Sequence, residues 1–273
     1  YNMDKLKILC CHPIFNEPAF VLSQKFRIEV VKGVFEPKEG EIYIVYGAHE
    51  CAAKLTDIQS SVKVGYIIYN SEAPSSRFMR DKYYLSLLKS NPVFDYSQAS
   101  TDYMKKNLGV NAFSHYFFEF IKAPEVTSAR EIDILFIGSE NEERAKVRDR
   151  LVERYPDKNI KFVFDWKLTS PSDMKSVLSN AKYVLNLPYY HDGALETHRI
   201  NNALSAGCEV VSHSETDHDT KVFYDDFIYF TNKVSEFEFF QYDNHKESYE
   251  ELIKKLTNAV TAHNLFVINN ICK

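Results

Sequence analysis

The stretch AKYVLNLPYYHDGALETHRINNALSAGCEVVSH, residues 181–213, decides the fold. It reads as an apolar strand over 183–187, a polar turn over 188–193, a helix over about 194–206, a glycine stop at Gly207 and a second strand over 209–212. A strand, a crossover helix and a strand in succession imply parallel pairing, with the turn at a carboxyl strand end. Ligands of open α/β sheets collect at such ends, and a helix amino terminus there favours an anion. Asp192 is the expected N-cap, and Gly207 fits the left-handed position just past the helix.

On a wheel of about 100° per residue, the helix collects Leu195, Ile200, Ala203, Leu204 and Ala206 on one side. Glu196 and Arg199 fall on that same side. A charged pair three residues apart on an apolar face is costly to bury unless it is mutually paired or meets a polar ligand. Two readings follow. One is a buried structural ion pair; the other has Arg199 projecting toward a phosphate with Glu196 orienting it.

Upstream, the same alternation starts at 132–137 (IDILFI), with a turn at Gly138 and Ser139 and a highly charged helix from ENEERAKVRDRLVERY. The turn offers backbone donors to a phosphate, and Arg144 could assist, although one glycine falls well short of a dinucleotide fingerprint. A strand over 161–164 (KFVF) precedes Asp165 and Trp166, the single tryptophan, where an aromatic can stack on a base or plug the core. A short helix over 172–179, a strand over 227–230 and a long helix from 248 to about 268 complete this half.

The first half carries strands over 7–11 (KILCC), 41–46 and 64–69, with 93–96 as a further short strand and Ser97 capping a helix through Asn107. A helix is expected over 78–88 and an aromatic-rich segment over 113–121. His12, Glu17, His49, Glu50 and Glu72 all fall just past strand carboxyl ends, where one cleft could collect them. The polar stretch KAPEVTSAR, 122–130, is the expected domain boundary.

With 273 residues and 45% apolar composition the chain can bury ample core, as one large domain or two medium ones, and the restart at 132 favours two. Net charge is −5 with dispersed basic residues and no arginine-rich segment, which argues against a nucleic-acid partner but leaves room for a small anion. Five cysteines, Cys10, Cys11, Cys51, Cys208 and Cys272, show no CxxC or Cys/His spacing and suit a reducing compartment. No signal-peptide pattern or long apolar run is visible, so a soluble, cytoplasmic protein without an integral membrane segment is expected, with Met3 as the native start.

The strings DILFIGSENEERAKVRDRL, DMKSVLSNAKYVLNLPYY and LETHRINNALSAGCEVVS resemble the donor-binding half of compact sugar-nucleotide glycosyltransferases of the GT-B type. The core R-x-x-N-A-L-x-A-G-C-x-V-V is similar to the R-x-x-E-A-x-x-x-G-C-x-P-V pattern of several such families. IIYNSEAP and FDYSQAS in the first half add a weaker likeness. The resemblance implies an α/β fold of two Rossmann-like domains facing across a cleft. Residues 1–124 would bind the acceptor, 125–247 the donor, and a helix over 248–273 would cross back to the first domain.

It implies transfer of a sugar from a nucleoside-diphosphate sugar, with a UDP-sugar favoured, to a hydroxyl of an oligosaccharide or glycoprotein glycan. The nucleotide sugar is a co-substrate, and no cofactor is expected. Small enzymes of this look occur among the glycan-building enzymes of large algal viruses, including a xylosyltransferase, which points to UDP-xylose.

Carried over by position, Arg199 matches the basic residue near the donor diphosphate and Asn202 the position of a ribose-binding glutamate. Glu196 could supply the missing carboxylate, or Asn202 could bind the ribose as a neutral donor and acceptor. Phe164 and Trp166 fall in the nucleobase region; Gly138, Ser139, Tyr190 and Gly193 border the diphosphate. For an inverting reaction the base would come from the first half, with Glu72 and His12 the first choices and Glu17 and His49 behind them. A retaining reaction needs no such base. No DxD triplet follows a strand, and Asp217, His218 and Asp219 read as a polar loop, so a metal-independent enzyme is expected.

Two rivals remain. One is a non-catalytic nucleotide- or sugar-binding protein on the same scaffold. The other is a sugar-nucleotide epimerase, against which the glycine-free HPIFNEP loop speaks.

Overall fold

The computed structural model describes residues 5–115, 129–164, 171–191, 193, 195–214, 218–222, 224–241, 254 and 258. Those from 5 to 115 form one compact unit and those from 129 to 241 a second. Residues 122–128 of the expected domain boundary and Trp166 lie outside the described residues. So do Asp192 and nearly all of the terminal helix, of which only Lys254 and Asn258 are described, both helical. No helix among the described residues is long and apolar enough to cross a membrane.

The first unit is a six-stranded, all-parallel sheet in the order β2-β1-β3-β4-β5-β6. Its strands are β1 (Leu6–Cys10), β2 (Glu29–Val30), β3 (Ile42–Tyr46), β4 (Gly65–Asn70), β5 (Val93–Asp95) and β6 (Ala112–Ser114). Strands β3 and β4 are buried along nearly their whole length, as expected when both sheet faces are covered. Leu9, Tyr43, Val45, Tyr66 and Ile68 point to one face, where Leu55 of α2 (Ala52–Ser61), Tyr84 and Leu87 of α3 (Lys82–Ser90) and Met104 of α4 (Gln98–Leu108) pack on them. Helix α1 (Asn16–Phe26) lies along β1. Ser97 caps α4 by accepting from the Ser100 amide, as its position predicts. The helix expected over 78–88 is instead a 3₁₀ turn, Arg77–Arg80, followed by α3, because the Asp81 carboxylate accepts from the Tyr83 and Tyr84 amides and starts a new helix there.

The second unit is a five-stranded parallel sheet in the order β11-β10-β9-β7-β8. Its strands are β7 (Ile132–Ile137), β8 (Ile160–Val163), β9 (Ala181–Asn186), β10 (Glu209–His213) and β11 (Tyr229–Thr231). Helix α5 (Glu142–Arg154) covers one face through Val147 and Leu151 against Ile134, Phe136 and Leu185. Helices α6 (Pro171–Ser179) and α7 (Thr197–Ser205) cover the other, with Leu178, Ile200, Ala203 and Leu204 against Leu135, Ile137 and Val184. The chain is therefore an α/β protein with two doubly wound parallel sheets.

Helix α7 is shorter than the periodicity over 194–206 predicts. It begins at Thr197 with Glu196 in the cap position and no side-chain cap, because the Glu196 carboxylate is held elsewhere. Gly207, at φ +74°, takes the left-handed conformation expected of it. The loop expected over 214–219 gives way at His218 to a short helix, α8 (His218–Lys221).

Candidate functional site

Both sheets reverse their winding once. In the second unit β8 lies on one side of β7 and β9 on the other, so the switch point is the carboxyl end of the β7–β9 pair. Three charged side chains meet there. Arg199, in the first turn of α7, lies 2.5 Å from Glu196 Oε2 through its Nη2. Arg144, in the first turn of α5, reaches Glu196 Oε1 at 3.2 Å. The carboxylate thus bridges two guanidinium groups that come from helices on opposite faces of the sheet.

Each arginine is also tied to the strand ends. Arg199 Nε donates to the Ile137 carbonyl at 3.1 Å and Nη1 to Asn186 Oδ1 at 2.8 Å. Asn186 is positioned in turn by donating to Ser212 Oγ at 3.0 Å. Arg144 donates to the carbonyls of Ser139 at 2.8 Å and Leu187 at 2.6 Å. Both guanidinium carbons sit about 5 Å from the Phe136 ring centre, at 4.9 and 5.0 Å, so one aromatic ring supports both cations. Two guanidinium charges against one carboxylate leave the cluster cationic.

The Arg144 side chain is only 3% exposed. Burial, with Arg199 acting in the same direction and Glu196 opposing, brings its guanidinium down to about 10, still charged at neutral pH. Its Nε and the buried Thr197 Oγ1 make no hydrogen bond among the described residues.

Gly138 provides room rather than donors. Its amide already donates to the Val163 carbonyl at 3.1 Å, and a Cβ there would lie 2.9 Å from Phe136 Cζ and 3.0 Å from Arg199 Nη2. Ser139 contributes its carbonyl, which accepts from Arg144. Of the donors expected of this turn, the Gly138 amide is thus taken by the strand ladder. Gly193 closes a turn by donating to the Tyr190 carbonyl at 3.0 Å, and the Tyr190 ring packs edge-on against Tyr189, which lies under Arg144.

Phe164 and Asn202 are not brought to the arginine cluster. Phe164 packs with Phe162 and Phe136, and Arg148 lies over its ring, because residues two apart in a strand share a face. The Asn202 amide lies 3.4 Å from His198 Nε2, one helical turn back. Arg144 is the residue whose part the sequence understated: an exposed helix arginine is the ordinary expectation in so charged a helix. The signal available was its place three residues after Asn141, whose side chain accepts from the Arg144 amide and fixes it in the first turn.

In the first unit the winding reverses between β1 and β3, so the switch point lies past Cys10 and Tyr46. Glu72 and His12, the two first choices for a base, have different partners. His12 Nδ1 accepts from the Ile14 amide at 3.3 Å and starts a 3₁₀ turn, whereas Glu72 Oε1 lies 3.4 Å from His49 Nε2. Glu72 is held firmly, with Ser76 Oγ donating to Oε2 at 2.5 Å and Asn70 bonded to its backbone on both sides. Asn70 is fully buried and meets Asp95 Oδ2 at 2.7 Å and the Tyr84 hydroxyl at 2.6 Å. His49 packs against Phe78 with ring centres 4.6 Å apart, and Glu50 lies 3.6 Å from its Nε2.

Burial pushes the His49 imidazole below its usual range, against an opposing pull from Glu72 and Glu50. Its neutral form is therefore the folded form at pH 7. Because the folded value is lowered, this residue's contribution to stability is present above about pH 6.5 and lost as pH falls below it. In a histidine NMR titration, His49 should titrate below about 6.5. Glu72→Gln should move it lower still; an upward move would show that Glu72 does not act on His49.

No family model matches the chain, and no curated protein matches its sequence. Among solved structures, accessory secretory protein 1,2 and 3 of Streptococcus pneumoniae is similar at 11% identity and TM-score 0.48, over 86% of this chain and 52% of that one. The GtfA/B complex is similar at 9% identity and TM-score 0.36, over 83% and 50%. The glycosyltransferase SnogD from Streptomyces nogalater is similar at 9% identity and TM-score 0.35, over 94% of each chain. The chain spans about half the length of the first two, 52% and 50%. Likeness at this level assigns no activity.

Proposed function

We propose that this chain is a glycosyltransferase that uses a nucleoside-diphosphate sugar and passes the sugar to a glycan hydroxyl. The observation that carries the reading is the convergence of Arg144 and Arg199 on Glu196 at the β7–β9 switch point. A diphosphate leaving group needs fixed positive charge where its own negative charge develops, and two anchored guanidiniums supply it. In this reading the phosphate oxygens take the place of the Glu196 carboxylate, which is 27% exposed and turns outward to make room. Once Glu196 has turned, its carboxylate becomes available to a ribose hydroxyl, with Asn202 as the alternative for that role.

For the acceptor side, the reading assigns the proton of the attacking hydroxyl to the Glu72 carboxylate, which Ser76 and His49 hold in place. The neutral His49 imidazole is its positioning partner, since both neighbouring carboxylates lie at Nε2 and Nδ1 is buried. His12 remains the other candidate for that proton. A UDP-sugar is the favoured donor, with UDP-xylose among those to be tried, and the reaction uses neither cofactor nor metal.

The test is a thermal-shift screen of UDP, GDP and sugar nucleotides with the full chain, followed by a turnover assay. A ligand at 100 times its Kd that binds only the native state adds about 2.7 kcal/mol of stability, so a true donor raises Tm measurably. Failure of every nucleotide to do so overturns the reading. Stabilisation without any hydrolysis or transfer would leave the non-catalytic binding protein in its place.

A further inference from the structure

The first unit's switch point holds a second chemical feature that the acceptor reading does not use. Cys11, one residue past β1, and Cys51, at the start of α2, are 40 positions apart in sequence, yet their sulfurs are 2.6 Å apart. A formed disulfide measures about 2.05 Å, so little movement separates this pair of thiols from a bond. The parallel pairing of β1 with β3 dictates the encounter. Cys10 lies opposite Tyr46, the Cys11 amide donates to the Tyr46 carbonyl at 2.8 Å, and the 3₁₀ turn Ala48–Cys51 folds back over that strand end. Both thiols are half-buried against the edge of the first unit's core, within reach of a small reagent.

We propose that Cys11 and Cys51 form a reversible redox pair, closed to a disulfide by exchange with a low-molecular-weight disulfide and reopened by a thiol. Cys51 is the attacking sulfur. It occupies the N-cap position of α2 with no side-chain cap, where the helix dipole favours a thiolate, and Lys54 follows one turn later. The contact with Cys11, with Lys54 in support and burial opposing, brings the Cys51 thiol below its usual range, while the same contact and burial push Cys11 up.

The thiolate displaces one thiol from the reagent and forms a mixed disulfide. Cys11 gives up its proton and displaces the second. The two cysteines lose two electrons and two protons, and the reagent disulfide leaves as two thiols. Cys10 and Cys208 are poor competitors: Cys10 donates to the His12 carbonyl at 3.1 Å and burial pushes its thiol up to about 11, while burial pushes Cys208 up to about 12. A pair of this kind, in a chain whose cysteine usage suits a reducing compartment, is of the transient, sensing type.

The test treats the full chain with oxidised glutathione and maps its peptides without reduction. The expected result is a mass loss of two hydrogen atoms and a cross-linked peptide joining Cys51 to the β1 peptide, both reversed by reduced glutathione. Since Cys10 and Cys11 share that peptide, Cys10→Ser should keep the cross-link and Cys11→Ser should lose it. Glutathione adducts alone, a link through Cys10, or no reaction at Cys51 would each overturn the proposal. None of these outcomes depends on the glycosyltransferase reading.

Discussion

Arg199→Ala should lower nucleotide affinity by about 10- to 150-fold, the worth of a hydrogen bond to a charged group at ~1.5–3 kcal/mol. It should also lower kcat by about 10² to 10³, as loss of one donor to a developing oxyanion does. The guanidinium is held at four points, by Ile137, Asn186, Leu187 and Glu196, so its position is set before any ligand arrives. Preorganisation of this kind makes the charge effective, since no reorganisation is needed as the leaving group departs. Arg199→Lys keeps the charge but loses the fork, and should fall between the two. Isothermal titration with the stabilising nucleotide measures the first quantity and initial rates the second. An Arg199→Ala chain that remains folded and binds nucleotide like the parent would remove the diphosphate assignment.

Arg144→Met should cost about 3–5 kcal/mol of stability, the usual loss on removing one partner from a buried ionic cluster. Methionine fills part of the space above Phe136 but leaves the Ser139 and Leu187 carbonyls without their donor. Those two carbonyls follow β7 and β9, so Arg144 ties the two strands together where the sheet reverses. Glu196 would keep Arg199 as its partner, which limits the electrostatic part of the loss. Urea denaturation followed by circular dichroism gives the number. A change within about 0.5 kcal/mol, typical of surface positions, would mean that the guanidinium ties nothing down.

Much of the architecture was legible because its signals are local. The buried strands are short apolar runs bounded by turn residues, and Ser97 and Gly207 mark helix ends through their own backbone chemistry. The strand, helix and strand over 181–213 admitted only a parallel pairing. Glu196 and Arg199 were visible as a pair because helical spacing alone brings positions three apart together. The end of α7 at Thr197 was not visible, since the Glu196 side chain that could have capped it is drawn to arginines, one of which is 52 residues away in sequence.

By itself, then, the sequence determined the α/β class, the parallel strands, their carboxyl-end loops as the place for chemistry, and the Glu196–Arg199 pair. The tertiary structure alone decided which distant groups meet. Arg144 joins that pair, His49 meets Glu72, and Cys11 finds Cys51. The reason is strand order. Each of these encounters requires knowing which strands are neighbours at the point where the sheet reverses, and that order is set by how helices pack on both faces, a non-local outcome that no spacing along the chain encodes.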